Sequence, residues 1–123
     1  MTDKPTILVV DDEPLIRMAI ASMLSDQYEV LTARSGGEGL VKLDERQDVC
    51  VIVSDQRMPE MDGSAFFARA LTVSSARRVM ISGYTDFGAL VRAVNEGHIY
   101  AFLEKPFAPE ALRQIVEEAA AAA

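Results

Sequence analysis

The chain has 123 residues, half of them hydrophobic and a quarter charged, and its formal net charge is −7. This length suits one domain with one core, so we expect residues 1–123 to form a single domain in which 117–123 are a helix end or a linker stub. The negative charge, without a basic stripe, argues against binding to nucleic acid or to an anionic membrane. The first residues lack the apolar core of a signal peptide, and no stretch reaches the roughly 20 apolar residues that span a bilayer. We therefore expect a cytoplasmic protein.

Five apolar runs predict β-strands, at Thr6 to Val10, Glu29 to Ala33, Val49 to Ser54, Arg78 to Ser82 and Tyr100 to Leu103. The first and third runs are almost uninterrupted, which is typical of parallel strands covered on both faces. Apolar stripes with helical spacing lie between the strands and after them, at Ile16, Ile20, Met23 and Leu24, at Leu40 and Leu43, and at Leu112, Ile115, Val116 and Ala119. A short third helix is predicted from Ser64 to Leu71. Helix ends are indicated by Ser35 and Thr85 as N-caps, by Gly97 after the fourth helix and by Pro109 in the first turn of the fifth.

The fivefold alternation of strand and helix predicts an α/β fold with a doubly wound parallel sheet, because right-handed crossovers place helices on both faces of such a sheet. Ligands bind to sheets of this kind at the carboxyl ends of the strands. The polar residues that end or follow the predicted strands are therefore the candidates for a functional site.

Four of the five strands lead into such polar residues, namely Asp11, Asp12 and Glu13 after the first, Asp55 after the third, Ser82 at the end of the fourth and Lys105 after the fifth. Three carboxylates brought together repel one another and raise their own pKa values, so the set calls for a cation. Hard oxygen ligands favour Mg²⁺ or Mn²⁺. One divalent ion and Lys105 would balance the charges of Asp11, Asp12 and Asp55, and the site could then accept a phosphoryl group.

A carboxylate can attack phosphorus to form an acyl phosphate, while a cation, a lysine and a hydroxyl stabilise charge on the transferring oxygens. Each residue alone has a simpler structural explanation: an Asp at a strand end often caps a helix, a Ser often lies in a turn, and a Lys is often solvated. Independent caps and turns would rarely place acids, a hydroxyl and an amine at four strand ends of one sheet. The combination favours a functional site.

These residues lie in motifs that resemble those of the receiver domains of bacterial two-component response regulators, and the resemblance covers essentially the whole chain. The motifs are Val9-Val10-Asp11-Asp12-Glu13, the segment from Ser54 to Gly63, Ser82-Gly83-Tyr84, and Phe102-Leu103-Glu104-Lys105-Pro106. The resemblance implies a flavodoxin-like (βα)5 fold with strand order 2-1-3-4-5. It also implies a signalling phosphoacceptor, which supports only its own phosphorylation and dephosphorylation and is not an enzyme acting on a separate substrate.

The same resemblance assigns roles to individual residues. Asp55 would be the phosphoacceptor, and Asp12, Asp55 and the backbone carbonyl of Arg57 would bind Mg²⁺ directly, with Asp11 acting through a metal-bound water. Ser82 and Lys105 would contact the phosphoryl oxygens. Ser82 and Phe102 would form the switch, and Arg57 and Tyr84 would flank the phosphoryl group and tune its lifetime.

The partner implied by the resemblance is a sensor histidine kinase or a phosphotransfer protein. Residues 90–94, Leu-Val-Arg-Ala-Val, would permit a homodimer on phosphorylation, although they serve equally well as the core-facing side of a helix. The residues of these motifs are similar to those of receivers that precede cyclic-dinucleotide phosphodiesterase domains or transcription-activating domains.

Three other interpretations are weaker. A phosphatase resembling the haloacid dehalogenase superfamily requires Asp-x-Asp after the first strand, where this chain has Asp11-Asp12-Glu13. A flavodoxin-like cofactor binder needs a phosphate-binding loop at the same place, and the acidic segment would repel phosphate. A receiver that only docks partners would be favoured if an acid or Lys105 were missing, and neither is missing.

Overall fold

The computed structural model describes residues 4–83 and 87–122. Five strands alternate with five helices along the chain. In chain order the elements are β1 (Thr6–Val10), α1 (Pro14–Leu24), β2 (Glu29–Ala33), α2 (Gly36–Glu45), β3 (Val49–Asp55), α3 (Gly63–Ala70), β4 (Arg77–Gly83), α4 (Phe87–Arg92) continued by a π-helical segment (Ala93–Gly97), β5 (Ala101–Lys105) and α5 (Pro109–Ala122).

The strands form one parallel sheet in the order β2-β1-β3-β4-β5. This confirms the predicted flavodoxin-like doubly wound fold. The predicted ends of β1 and β2 are correct, whereas β3 and β4 run one residue further at their carboxyl ends and β5 is displaced toward the site, to Ala101–Lys105. Strand β4 also begins one residue earlier than predicted, at Arg77. Hydropathy misplaced these ends because Asp55 pairs with Ile81, and Lys105 with Gly83, through backbone groups that do not depend on the side chain.

Each face of the sheet carries its own core. On one face α2 and α3 cover alternate strand residues, and Phe66 and Phe67 are the largest buried side chains there. On the other face α1 and α5 pack against the intervening residues, with Leu112, Val116 and Ala119 buried as predicted. The two-sided cover explains why β1 is buried along its whole length.

Local signals account for most helix ends. Pro14 begins α1, and the Ser35 side chain accepts a hydrogen bond from the Glu38 N–H at the start of α2, as predicted. The short third helix is Gly63–Ala70, one residue earlier than predicted, because Asp62 is its N-cap. The fourth helix reaches Gly97 through its π-helical segment, and His98, with φ 50°, takes the left-handed conformation that Gly97 was expected to supply. The predicted cap Thr85 lies outside the described residues.

Two helices differ from the simple picture of apolar stripes. Ile16, predicted to lie in the core stripe of α1, is exposed, because the first turn of α1 stands above the carboxyl edge of the sheet. Helix α5 extends through Ala122, so the segment 117–122 is helical. Within the described ranges no helix is long and apolar enough to cross a membrane.

Candidate functional site

The structure brings four of the predicted site residues together at the carboxyl edge of the sheet. Asp11 and Asp12 directly follow β1, Asp55 is the last residue of β3, and Lys105 is the last residue of β5. β1 and β5 flank the central pair β3 and β4, so their ends converge on Asp55. The parallel arrangement, with every strand ending at this edge, is what makes one site from residues far apart in sequence.

The three aspartates form an acidic cluster. One carboxylate oxygen from each of Asp11, Asp12 and Asp55 lies within 4.8 Å of the others. Asp11 and Asp55 are buried, and Asp12 is partly exposed. Burial raises the pKa of the Asp11 carboxyl; the hydrogen bond from the Glu13 N–H opposes this effect, and the charge of Asp55 adds to it.

This donor set fits a hard divalent cation. All three groups offer carboxylate oxygens, which Mg²⁺ and Mn²⁺ prefer to nitrogen or sulfur ligands. The spacing allows one ion to contact oxygens from more than one aspartate. An ion in this position would also relieve the mutual repulsion that the cluster otherwise carries.

Lys105 supplies the positive charge of the site. Its Nζ lies 2.9 Å from Oδ1 of Asp55, and the Asp55 side chain is 10% exposed against 37% for Lys105. The lysine therefore reaches the buried carboxylate from the solvent side. A group bound to Asp55 would lie within reach of the same ammonium.

The backbone around Asp11 is also fixed. The Asp11 N–H donates to the carbonyl of Ala33, at 3.1 Å, and Arg17 donates from Nη1 to the carbonyl of Asp11, at 2.8 Å. Sequence reasoning did not single out Arg17. The signal was its position one helical turn after Glu13, which brings its side chain back to the strand end.

The other predicted site residues that the structure describes lie outside the cluster of aspartates and its ion pair with Lys105. Ser82 is buried in β4, one residue beyond the partner of Asp55, and its hydroxyl donates to the carbonyl of Gly83 at 3.3 Å. Arg57 lies on the exposed loop after β3. Phe102 is partly buried and packs against the core that α2 and α3 cover. Tyr84 falls outside the described residues, so its tuning role stays a prediction.

Comparison with known proteins identifies the family of the chain. The response regulator receiver domain family matches residues 7–117. The hydrogenase transcriptional regulatory protein HoxA of Cupriavidus necator is 40% identical over 121 residues, and the transcriptional regulatory protein GlrR of Escherichia coli is 38% identical over 122. Each alignment covers 97% of this chain, which spans only 25% and 27% of the two regulators.

A solved structure gives the same result for the fold. The signal receiver domain of an HD domain-containing protein from Pseudomonas fluorescens superposes with a TM-score of 0.92 at 31% identity, covering 99% of this chain and 90% of that one. The chain belongs to the response regulator receiver domain family. This match replaces the alternative assignments to the haloacid dehalogenase superfamily and to the flavodoxin-like cofactor binders.

Proposed function

We propose that this chain is a phosphoacceptor, in which Asp55 takes a phosphoryl group from a phosphohistidine of a sensor histidine kinase or phosphotransfer protein. The observation that carries the proposal is the position of the Asp55 carboxylate, which lies within 4.8 Å of carboxylate oxygens of two further aspartates and 2.9 Å from the Lys105 ammonium. A structural ion pair would need no additional acids. A cation in the site would account for the two additional acids, because it would offset their mutual repulsion.

The cation of the proposal is Mg²⁺, or Mn²⁺. Asp12, Asp55 and the Arg57 carbonyl would hold it directly, and Asp11 through water. When bound, the ion supplies positive charge to the oxygens of the transferring phosphoryl group.

In the proposed transfer, the protein residues act as the nucleophile and as groups that stabilise charge. A carboxylate oxygen of Asp55 attacks phosphorus, the new O–P bond forms as the P–N bond of the donor breaks, and the electron pair of that bond stays with the imidazole. Lys105 stabilises charge on the phosphoryl oxygens, and the Ser82 hydroxyl can turn from the Gly83 carbonyl to donate to them. Water later hydrolyses the acyl phosphate, so the chain supports its own phosphorylation and dephosphorylation and acts on no separate substrate.

A donor protein must bring its phosphohistidine to the open side of this cleft. The first turns of α1 border that opening with exposed apolar side chains, Leu15 at 81% and Met18 at 65% exposure. Ile16 and Met23 of the same helix line an apolar groove together with Lys105, Pro106 and Phe107. We propose that the donor protein docks on this surface, because it lies beside the nucleophile and its apolar area is otherwise unexplained.

The response to phosphorylation is proposed to pass through Ser82 and Phe102 to the surface formed by α4, β5 and α5. Val91, Val94 and Tyr100 are exposed on this part of the chain, which supports a homodimer formed on phosphorylation. An Asp55-dependent shift in elution volume on size-exclusion chromatography would support the dimer. A Phe102→Ala chain that still dimerised on phosphorylation would contradict the role of Phe102.

The test of the main proposal is intact-mass spectrometry after incubation with acetyl phosphate, with and without Mg²⁺. We expect one phosphoryl adduct that requires Mg²⁺ and is absent from Asp55→Ala. An adduct that survives in Asp55→Ala would move the nucleophile to another aspartate. Absence of any adduct from the native chain would favour a receiver that only docks partners.

A further inference from the structure

Gln56, the residue directly after the phosphoacceptor, is not used by the chemistry described above. It is nevertheless buried, with 3% of its surface exposed, although glutamine is usually a surface residue. A buried amide needs hydrogen-bond partners. Its partners are at the start of α3.

The first backbone N–H groups of a helix have no partner within the helix, and in α3 Gln56 accepts two of them. The Gly63 N–H donates to the backbone carbonyl of Gln56 at 2.9 Å, and the Ser64 N–H donates to Oε1 of its side chain, also at 2.9 Å. The Ala65 N–H donates to the side chain of Asp62. The residue after β3 thus accepts two of these three hydrogen bonds from outside the helix.

These bonds close the loop from Arg57 to Asp62 at its base. Gln56 is held to the sheet by its own N–H, which donates to the carbonyl of Ile81 at 3.0 Å. Both ends of the loop are therefore held at Gln56, which is itself bonded to the sheet. Asp55 lies immediately before the closure and Arg57 immediately after it.

We infer that Gln56 is a positioning residue, whose side chain holds the loop so that the Arg57 carbonyl and the Asp55 carboxylate face the same cation. The inference rests on the proposed function, since it concerns the geometry of the Mg²⁺ site. Without the side-chain bond, only the backbone bond from the Gly63 N–H to the Gln56 carbonyl joins the start of α3 to Gln56, and the loop that carries the Arg57 carbonyl is held less firmly. Outer partners of metal ligands typically change metal affinity by about 10-fold or more when removed.

The first variant is Gln56→Met, which keeps the length of the side chain and removes the acceptor. The second is Gln56→Asn, which keeps the amide but is one methylene too short to reach the Ser64 N–H, and which is milder if the methionine variant folds poorly. Gln47→Met is the matched control. The Gln47 amide likewise bonds backbone at a helix end, donating to the carbonyls of Leu43 and Asp44, but at the opposite edge of the sheet.

Two measurements on the unphosphorylated chain test the inference. Hydrogen exchange of the Ser64 amide reports the bond itself, and a titration of backbone amide shifts with Mg²⁺ gives the dissociation constant. We expect faster Ser64 exchange and a dissociation constant about 10-fold higher in both Gln56 variants, with no change in Gln47→Met. Phosphorylation by acetyl phosphate should require more Mg²⁺, while its rate at saturating Mg²⁺ stays near that of the native chain.

Faster Ser64 exchange with unchanged Mg²⁺ affinity would make Gln56 an ordinary helix cap and overturn the inference. Unchanged exchange would overturn it as well. Failure of the proposed function is a separate result, because the native chain itself would then neither bind Mg²⁺ nor take a phosphoryl group.

Discussion

Replacement of Gly63 by alanine should disturb both the stability and the site. A Cβ at this position would lie 2.6 Å from the backbone oxygen of Asp55 and 3.0 Å from Cα of Gln56. Ordinary contacts of a Cβ begin at 3.4 Å, so the start of α3 must move away from the end of β3. The obstacle is backbone and cannot rotate aside. Gly63 is therefore required by close approach rather than by its dihedral angles.

The expected cost follows from three contributions. Overpacking costs about 1–3 kcal/mol, and stretching the two hydrogen bonds from α3 to Gln56 costs about 1 kcal/mol for each bond. The lower entropy of the unfolded alanine chain offsets about 0.4–1 kcal/mol. The net loss is about 2–5 kcal/mol, a large part of the roughly 5–15 kcal/mol that stabilises a domain.

Chemical denaturation by urea, followed by circular dichroism, measures this loss. Gly37→Ala is the matched control, because Gly37 also lies in the first turn of a helix and its Cβ would meet only the Ser35 Oγ at 4.0 Å. We expect the control to be unchanged or slightly stabilised. Equal stability of Gly63→Ala and the native chain would refute the steric argument. Normal Mg²⁺ affinity in the variant would refute the expected effect on the site.

Further predictions concern the charges of the chain. Lys105→Met should bind Mg²⁺ several-fold more tightly, because a cation 2.9 Å from Asp55 no longer competes, yet accept phosphoryl groups more slowly, because their oxygens lose the ammonium. Burial raises the pKa of Asp11, so the stability that this group contributes is present below pH 3.8 and is lost as the pH rises through the folded pKa. Asp11→Asn should therefore raise the free energy of unfolding at pH 7 in the absence of Mg²⁺. The same variant should gain less stability than the native chain when Mg²⁺ is added. Hydrogen bonds from Arg46 lower the pKa of Asp48 from 3.8 to about 2, so the stability from this pair is present above pH 3.8 and is lost as the pH falls toward 2. In Arg46→Met, NMR titration should show the Asp48 pKa returning toward 3.8.

Matched variants on α2, away from the site, control the first two of these predictions. Lys42→Met and Asp44→Asn remove the same charges from α2 and should leave Mg²⁺ affinity unchanged. Weaker Mg²⁺ binding by Lys105→Met would contradict the competition argument. A lower free energy of unfolding for Asp11→Asn at pH 7 would contradict the destabilising role of that carboxylate, and an Asp48 pKa that stays near 2 in Arg46→Met would remove the role of the ion pair.

The site residues could be predicted because they stand out against their strands. Asp11 and Asp55 follow long aliphatic runs, and parallel strands with helices between them must end at one edge. The family motifs then gave each residue a role. The strand ends themselves were less predictable, since Asp55 and Lys105 pair through backbone groups that hydropathy does not report.

The sequence by itself therefore determined the fold class, the strand order through its family, and the acids and lysine of the site. Only the tertiary structure decided how those residues are supported. In the sequence, Gln56 is an ordinary polar loop residue and Gly63 is a helix start. Their roles follow only from the packing of α3 against the end of β3. The physical reason is that periodicity and motifs report which face a residue occupies, whereas a buried hydrogen bond or a close backbone approach depends on where two separate elements meet.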